Sequence, residues 1–149
     1  MGCGAVADFG HLPAIKATEG VELHALFDPN PDRVARAAEK FGAAGAYSER
    51  EAFFDSGIDA VVISSPPASH KENVLESAAR RLPVLCEKPI AMNDADATVM
   101  IEAMERAGVP LVTGFCYRFS QTALDIHDLV RSGAPRLRSR HRRVASDPA

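Results

Sequence analysis

The run Asp59-Ala-Val-Val-Ile-Ser64 constrains this chain more than any other stretch. Its centre is continuously apolar and too short to be a helix, so as a strand it must be covered on both faces. Strands of that kind belong to parallel sheets flanked by helices, and the rest of the chain supplies both. Val21, Leu23, Ala25 and Phe27 alternate along one strand, and short apolar runs recur at 44–47, 83–86 and 109–114. Helical patterns fill the intervals. Asn30 is a cap with Pro31 in the first turn, Val34, Ala37, Ala38 and Phe41 form the inner face, and Gly42 stops the helix. A brief helix starts at Ser48. The next buries Val74, Leu75, Ala78 and Ala79. Another, capped by Asn93 or Asp94, buries Val99, Met100, Ala103 and Ala107. A last helix carries Leu124, Leu129 and Val130 and closes at Gly133. Strand and helix alternating in this way predict an α/β fold with a doubly wound parallel sheet.

In such a sheet ligands bind at the carboxyl ends of the strands, and the chemistry of this sequence gathers at those positions. Gly2, Gly4 and Ala7 form a G-x-G-x-x-A pattern around Cys3, Ala5 and Val6. Gly2 permits a tight turn, Gly4 lets backbone approach a diphosphate, and Ala7 lets a helix pack closely on a strand. The following helix, with Leu12 and Ile15 inside, presents its N-terminus to the phosphates. Asp28 ends the second strand, where a carboxylate accepts ribose hydroxyls and repels a 2′-phosphate; it also serves as a turn residue before Pro29. Ser65, Pro66 and Pro67 stop the central strand and fix a loop. His70 after them either faces a bound ring or simply begins a helix. Glu87, Lys88 and Pro89 follow the apolar run ending in Cys86. A lysine there is expected to be partly desolvated and suited to proton transfer, the alternative being a solvated turn. Pro89 is a candidate for a cis bond.

At 149 residues, 46% hydrophobic and 25% charged, the composition is that of an ordinary globular domain. No apolar run reaches the roughly 18 residues of a membrane span. Cys3, Cys86 and Cys116 show no C-x-x-C spacing and read as reduced thiols of a cytoplasmic protein. The five histidines are scattered, so no metal is expected. Arg136, Arg138, Arg140, Arg142 and Arg143 against one aspartate give residues 134–149 a charge of +4, so the rest carries −7 of the net −3. The tail lacks interleaved aromatics and is expected to be disordered or aberrant rather than a nucleic-acid site.

Taken in order, G-x-G-x-x-A, Asp28, Ser65-Pro66-Pro67-x-x-His70, Cys86-Glu87-Lys88-Pro89 and Gly-Phe-Cys-Tyr-Arg-Phe119 resemble the cofactor-binding half of the glucose–fructose oxidoreductase/inositol dehydrogenase (Gfo/Idh/MocA) family. The resemblance covers residues 1–133. It implies a Rossmann-type domain that binds NAD(H) in preference to NADP(H), without excluding the latter. It also implies hydride transfer with a sugar, cyclitol or related hydroxyl compound. Gly2, Gly4, Ala5, Val6 and Ala7 then correspond to the phosphate-binding turn, and Asp28 to the adenosine-ribose partner. Ser65, Pro66, Pro67 and His70 correspond to the loop beside the cofactor. Glu87 corresponds to the nicotinamide-ribose neighbour, Lys88 to the catalytic lysine, and Tyr117 and Arg118 to a segment bordering the substrate pocket.

The expected organisation is a dinucleotide-binding domain over 1–117, a helix over 118–133 leading toward a second domain, and the tail over 134–149. Two departures from the family pattern stand out. Only Met1 precedes the glycines, where a first strand is expected. Beyond Gly133 the sequence does not read as the family's second domain, which supplies most of the substrate pocket and the usual homo-oligomer interface. The chain is therefore expected to be truncated at both ends, marginally stable and inactive alone. The alternative is a non-catalytic dinucleotide-binding module or partner-dependent fragment, with no membrane or nucleic-acid partner. A methyltransferase-like nucleotide fold shares the glycine turn and the acid but gives Glu87-Lys88-Pro89 no role.

Overall fold

The computed structural model describes residues 1–133, so the expectation for the basic tail lies outside the described residues. The chain divides into two compact units, Met1–Phe115 and Cys116–Ala149.

The first unit is α/β. A π-helical turn, Ala7–His11, runs into α1 (Leu12–Ala17), and β1 (Ala25–Phe27), α2 (Pro31–Phe41), β2 (Gly45–Tyr47) and α3 (Arg50–Phe54) follow. Then come β3 (Val61–Ile63), a 3-10 turn (Pro67–Ser69), α4 (His70–Ala79), β4 (Val84–Cys86), α5 (Asp94–Ala107) and β5 (Leu111–Thr113). Every recorded strand pair is parallel: β1 with β2, β3 with β4, and β4 with β5.

The strands form two sheets, β1-β2 and β3-β4-β5. Met1 and Gly2 bridge them. The Gly2 N–H donates to the Phe27 carbonyl (2.8 Å), and the Ser64 N–H donates to the Met1 carbonyl (2.9 Å). The Met1 amine donates to the Val62 carbonyl (2.6 Å). One residue thus stands as a stub of the central strand, fixing its direction parallel to β1 and β3. β1 covers three residues, as the other strands do, and Val21, predicted to lie inside it, is exposed.

The core has two parts. Phe53, Phe54, Val61, Ile63, Val74, Val84, Cys86, Met100 and Met104 pack around the larger sheet. Ala7, Leu12, Leu23, Leu26, Val34 and Ala37 pack around β1. Ile63 and Cys86 are fully buried, as strands covered on both faces require. Asn30 caps α2 by accepting from the Asp32 and Arg33 N–H groups, and Gly42 ends it at φ 69°. Asn93, not Asp94, caps α5.

Several expectations change. Ser48 does not cap α3, whose N-cap is Glu49 with no side-chain bond. On α5 Val99 is exposed and Met104 takes the inner place. On α4 Ala79 is exposed while Asn73 and Ser77 are buried. Both shifts arise because α4 and α5 pack on each other as well as on the sheet, which rotates their inner faces away from a simple apolar stripe.

The second unit begins with a 3-10 turn, Cys116–Phe119, and α6 (Gln121–Arg131), capped by Ser120. Leu124, Leu129 and Val130 are exposed on it. No helix among the described residues is long and apolar enough to cross a membrane.

Candidate functional site

The carboxyl ends of β1, β3, β4 and β5 share one edge of the sheet, and the glycine turn crosses it. Gly2 adopts φ +87° with its backbone so near Ser64 and Ser65 that a Cβ would stand 2.6 Å from the Ser65 nitrogen. Only glycine fits there. A Cβ at Gly4 would meet nothing within 4 Å, so the backbone of that residue is open to approach. Ala7 is buried beneath the turn, while Ala5 and Val6 are exposed.

Asp28 is only 4% exposed. Its Oδ2 accepts from the Cys3 N–H (2.9 Å) and its Oδ1 from the Asn30 N–H (2.9 Å). The carboxylate therefore fastens the glycine turn to the end of β1, and each oxygen keeps lone-pair capacity for a further donor. Burial pushes the Cys3 thiol up to about 11, with a smaller upward push from Asp28 against a downward one from the chain amine, so the sulfur in this turn stays protonated at neutral pH.

Beside the turn lies an open cavity of about 610 Å³, lined by Cys3, Gly4, Ala5 and Asp8 on one side and Arg33, Arg36 and Lys40 on the other. Lys40 donates to both oxygens of Asp8 at 2.8 Å. A glycine turn with open backbone beside Arg33 and Arg36, with Lys40 held by Asp8, is a fit for a polyanionic group such as a diphosphate.

The loop after β3 is internally bonded. Ser65 Oγ accepts from Ser69 Oγ–H (2.9 Å) and from the Asn73 amide (3.1 Å). Pro66 is exposed and Pro67 half-buried. His70 begins α4 and is fully buried. Its Nε2 lies 2.9 Å from the Ser65 carbonyl and its Nδ1 3.0 Å from that of Pro89. The ring thus ties the proline loop to the loop after β4; its buried nitrogens are not presented to a ring bound outside.

Glu87 is the residue that joins the pieces. Its Oε1 pairs with His11 Nε2 at 2.9 Å, and its Oε2 accepts from the Lys88 N–H (3.0 Å). A Cβ on Gly114, past β5, would approach Glu87 Oε1 to 3.0 Å, so that glycine makes the room the carboxylate occupies. His11 stands outside the motifs the sequence displays, whereas Gly114 opens the Gly-Phe-Cys-Tyr-Arg-Phe119 motif with no role foreseen for it. The one signal for His11 is spacing: it sits four residues after Ala7, one helical turn further along the chain.

Lys88 follows at the same edge, before a cis bond to Pro89. It is exposed and makes no ion pair with any described residue. The partial desolvation expected of it is not seen, since the side chain is exposed. Tyr117 and Arg118 belong to the second unit and are exposed. No group of three or more metal-ligating side chains occurs among the described residues.

Residues 1–115 match the family model described as Gfo/Idh/MocA oxidoreductase, NAD-binding Rossmann fold. The chain belongs to this family. It is 35% identical over 124 residues to a myo-inositol 2-dehydrogenase of Thermotoga maritima, covering 83% of this chain and 37% of that enzyme. Among solved structures, an oxidoreductase from Agrobacterium radiobacter in complex with NAD+, L-tartaric acid and magnesium superposes with a TM-score of 0.83 at 30% identity. The match covers 89% of this chain and 39% of that one. A 3-ketoreductase from Actinomadura kijaniata in complex with NADP gives 0.80 at 25% identity, covering 89% and 42%. This Gfo/Idh/MocA chain thus spans about two fifths of the relatives it matches, and the matched part is the NAD(P)-binding half of an oxidoreductase.

Proposed function

We propose that this chain is the cofactor-holding half of an oxidoreductase that acts on a sugar, cyclitol or related hydroxyl compound, with NAD(H) preferred. The nicotinamide cofactor supplies the hydride acceptor or donor for that chemistry. The observation that carries the reading is the convergence, on one sheet edge, of the glycine turn, Asp28 and Glu87 through the Cys3–Asp28 and His11–Glu87 bonds.

Gly2 and Gly4 give the diphosphate its backbone contacts, and Asp28 accepts from the adenosine ribose with its remaining lone pairs. The preference for NAD(H) follows from that buried carboxylate, which disfavours a phosphate beside it. Arg33 and Arg36, which line the cavity, favour the second reading, NADP(H). Ala5, Val6, Ser65, Pro66 and Pro67 border the cofactor, and His70 holds their loop in place. Glu87 orients the nicotinamide end, and Lys88 holds or passes the hydroxyl proton of the substrate. Its ammonium becomes enclosed only when a substrate-binding part covers the end of β4. Tyr117 and Arg118 belong to that wall of the pocket.

The test is calorimetric titration of the 149-residue chain with NADH and NADPH. Tighter binding of NADH, with the difference narrowed by Asp28→Ala, supports the assignment; tighter binding of NADPH by the parent overturns it. In a full-length relative carrying these residues, Lys88→Ala should lower turnover about 10²–10⁴-fold with NADH affinity changed only a few-fold. Near-normal turnover there removes Lys88 from the chemistry and leaves a dinucleotide-binding module.

A further inference from the structure

The Glu87 carboxylate is distinguished by the partners it has and by those it lacks. No lysine or arginine among the described residues forms an ion pair with it. Its Oε2 accepts from the Lys88 N–H (3.0 Å), and its Oε1 lies 2.9 Å from His11 Nε2. Gly114 limits it on another side. A Cβ there would stand 3.0 Å from Oε1 and 3.2 Å from the carboxyl carbon, while the Gly114 N–H is fixed to the Cys86 carbonyl (2.8 Å). The side chain is 16% exposed, so its charge is only partly screened by water.

His11 reaches it from a π-helical turn, closed by the Leu12 N–H on the Ala7 carbonyl. Distortions of this kind recur at functional sites. An ionised carboxylate only accepts, so Nε2 is the donor, and the pair has two charge states. With a neutral imidazole it carries −1; with an imidazolium it carries none. Histidine is the side chain that exchanges these forms near neutral pH. The other titratable groups of this edge are committed elsewhere. Asp8 on the same turn pairs with Lys40, and Asp28 accepts from the Cys3 and Asn30 N–H groups. His70 lies between the Ser65 and Pro89 carbonyls. Burial, with a smaller push from Glu87, raises the Cys86 thiol to about 12. Lys16 of α1 and Lys88 are exposed and make no ion pair with a described residue.

We propose, on the reading that the nicotinamide end lies at Glu87, that His11 is a positioning residue that sets, through Glu87, which redox form of the cofactor is held. NAD+ and NADH differ by one positive charge on the nicotinamide ring and share the adenosine and diphosphate groups. A carboxylate bonded to neutral imidazole favours the cationic ring, and the same carboxylate bonded to imidazolium loses that preference. The discrimination is therefore tied to one proton on His11, and NAD+ gains on NADH as that proton leaves.

The 149-residue chain is titrated by calorimetry with NAD+, NADH and ADP-ribose, which lacks the nicotinamide, from about pH 5.5 to about pH 8.5. The ratio of NAD+ to NADH affinity should rise roughly fivefold or more across that range. His11→Gln keeps an N–H donor but takes up no charge, and should hold the ratio at the parent's high-pH value throughout. Glu87→Gln should give a low ratio that does not move with pH. ADP-ribose affinity should stay within about twofold in both variants, since neither touches the adenosine half. The same linkage requires the titration midpoint of the His11 ring, followed by nuclear magnetic resonance, to lie about 0.7 in pH lower with NAD+ bound than with NADH. That measurement needs no variant. A ratio that is flat in the parent, or that still climbs with pH in His11→Gln, overturns the proposal while leaving the cofactor reading in place. So does a loss of ADP-ribose binding in His11→Gln as large as that of NAD+, which would reduce His11 to a support of the fold. A parent that binds none of the three overturns both.

Discussion

An alanine at Gly2 places its Cβ 2.6 Å from the Ser65 nitrogen, 2.8 Å from the Ser65 Cα and 2.9 Å from the Ser64 carbonyl carbon. All three are backbone atoms, so no side-chain rotation relieves the contact. The backbone at φ +87° adds a second penalty, about 1–2 kcal/mol for a residue with a Cβ in the left-handed region. Forcing an extra carbon into a packed site costs about 1–3 kcal/mol more. Gly2→Ala should therefore destabilise the chain by roughly 2–5 kcal/mol, a large part of the about 5–15 kcal/mol that holds a domain together. At about 3–5 °C per kcal/mol for a chain of this size, the thermal midpoint falls by roughly 6–25 °C. Gly4→Ala is the matched control. A Cβ there meets nothing within 4 Å, so stability should stay within about 0.5 kcal/mol. NADH affinity should nevertheless fall at least tenfold, because the new methyl stands where the diphosphate approaches. Circular-dichroism melts and NADH titrations of the two variants separate fold from binding. If Gly2→Ala melts within about 2 °C of the parent, or Gly4→Ala loses as much stability as Gly2→Ala, the two roles are wrongly divided.

Two further outcomes follow from buried polar groups. The Met1 amine, 8.0 when unfolded and about 6 when folded, must shed its proton to be buried, so stability should rise as pH climbs from 6 to 8, by about 2–3 kcal/mol. Above pH 9 the unfolded chain releases the Cys3 and Cys86 protons that burial retains to about 11 and about 12, so stability should fall again. Urea melts across pH 6–11 read both limbs; a flat acid limb, or one that survives N-terminal acetylation, contradicts the assignment to Met1. His70→Leu removes the ring N–H that one of the facing Ser65 and Pro89 carbonyls accepts from and should cost about 1–3 kcal/mol. NADH affinity should follow stability rather than vanish separately, and selective loss of binding in a fully folded variant would return His70 to the ligand.

What the sequence determined by itself was whatever rests on local rules. Apolar runs of strand length marked every strand after Met1, and Asn30, Gly42 and Asn93 marked the helix ends, because caps and left-handed glycines act within a few residues. Gly2, Asp28 and Glu87 were legible as candidate site residues because glycine in a tight turn and carboxylates directly after apolar runs mark the edge where a parallel sheet presents ligands. Tertiary structure decided the rest. Nothing near Glu87 in the chain announces His11, 76 residues away, or that Gly114 makes the room between them. Apolar periodicity placed Val99 inside and missed Met104, because packing of α4 on α5 sets which side faces in. Lys88 was expected to be partly desolvated by a strand end, but it is exposed, because standing at a strand end does not by itself enclose a long side chain. Which residues of a strand bond to which neighbour, with Leu26 and Asp28 on the β2 side of β1 and Val61 and Ile63 on the β4 side of β3, was decided only by the folded ladder, since hydrogen-bond alternation is a property of paired strands and not of a sequence.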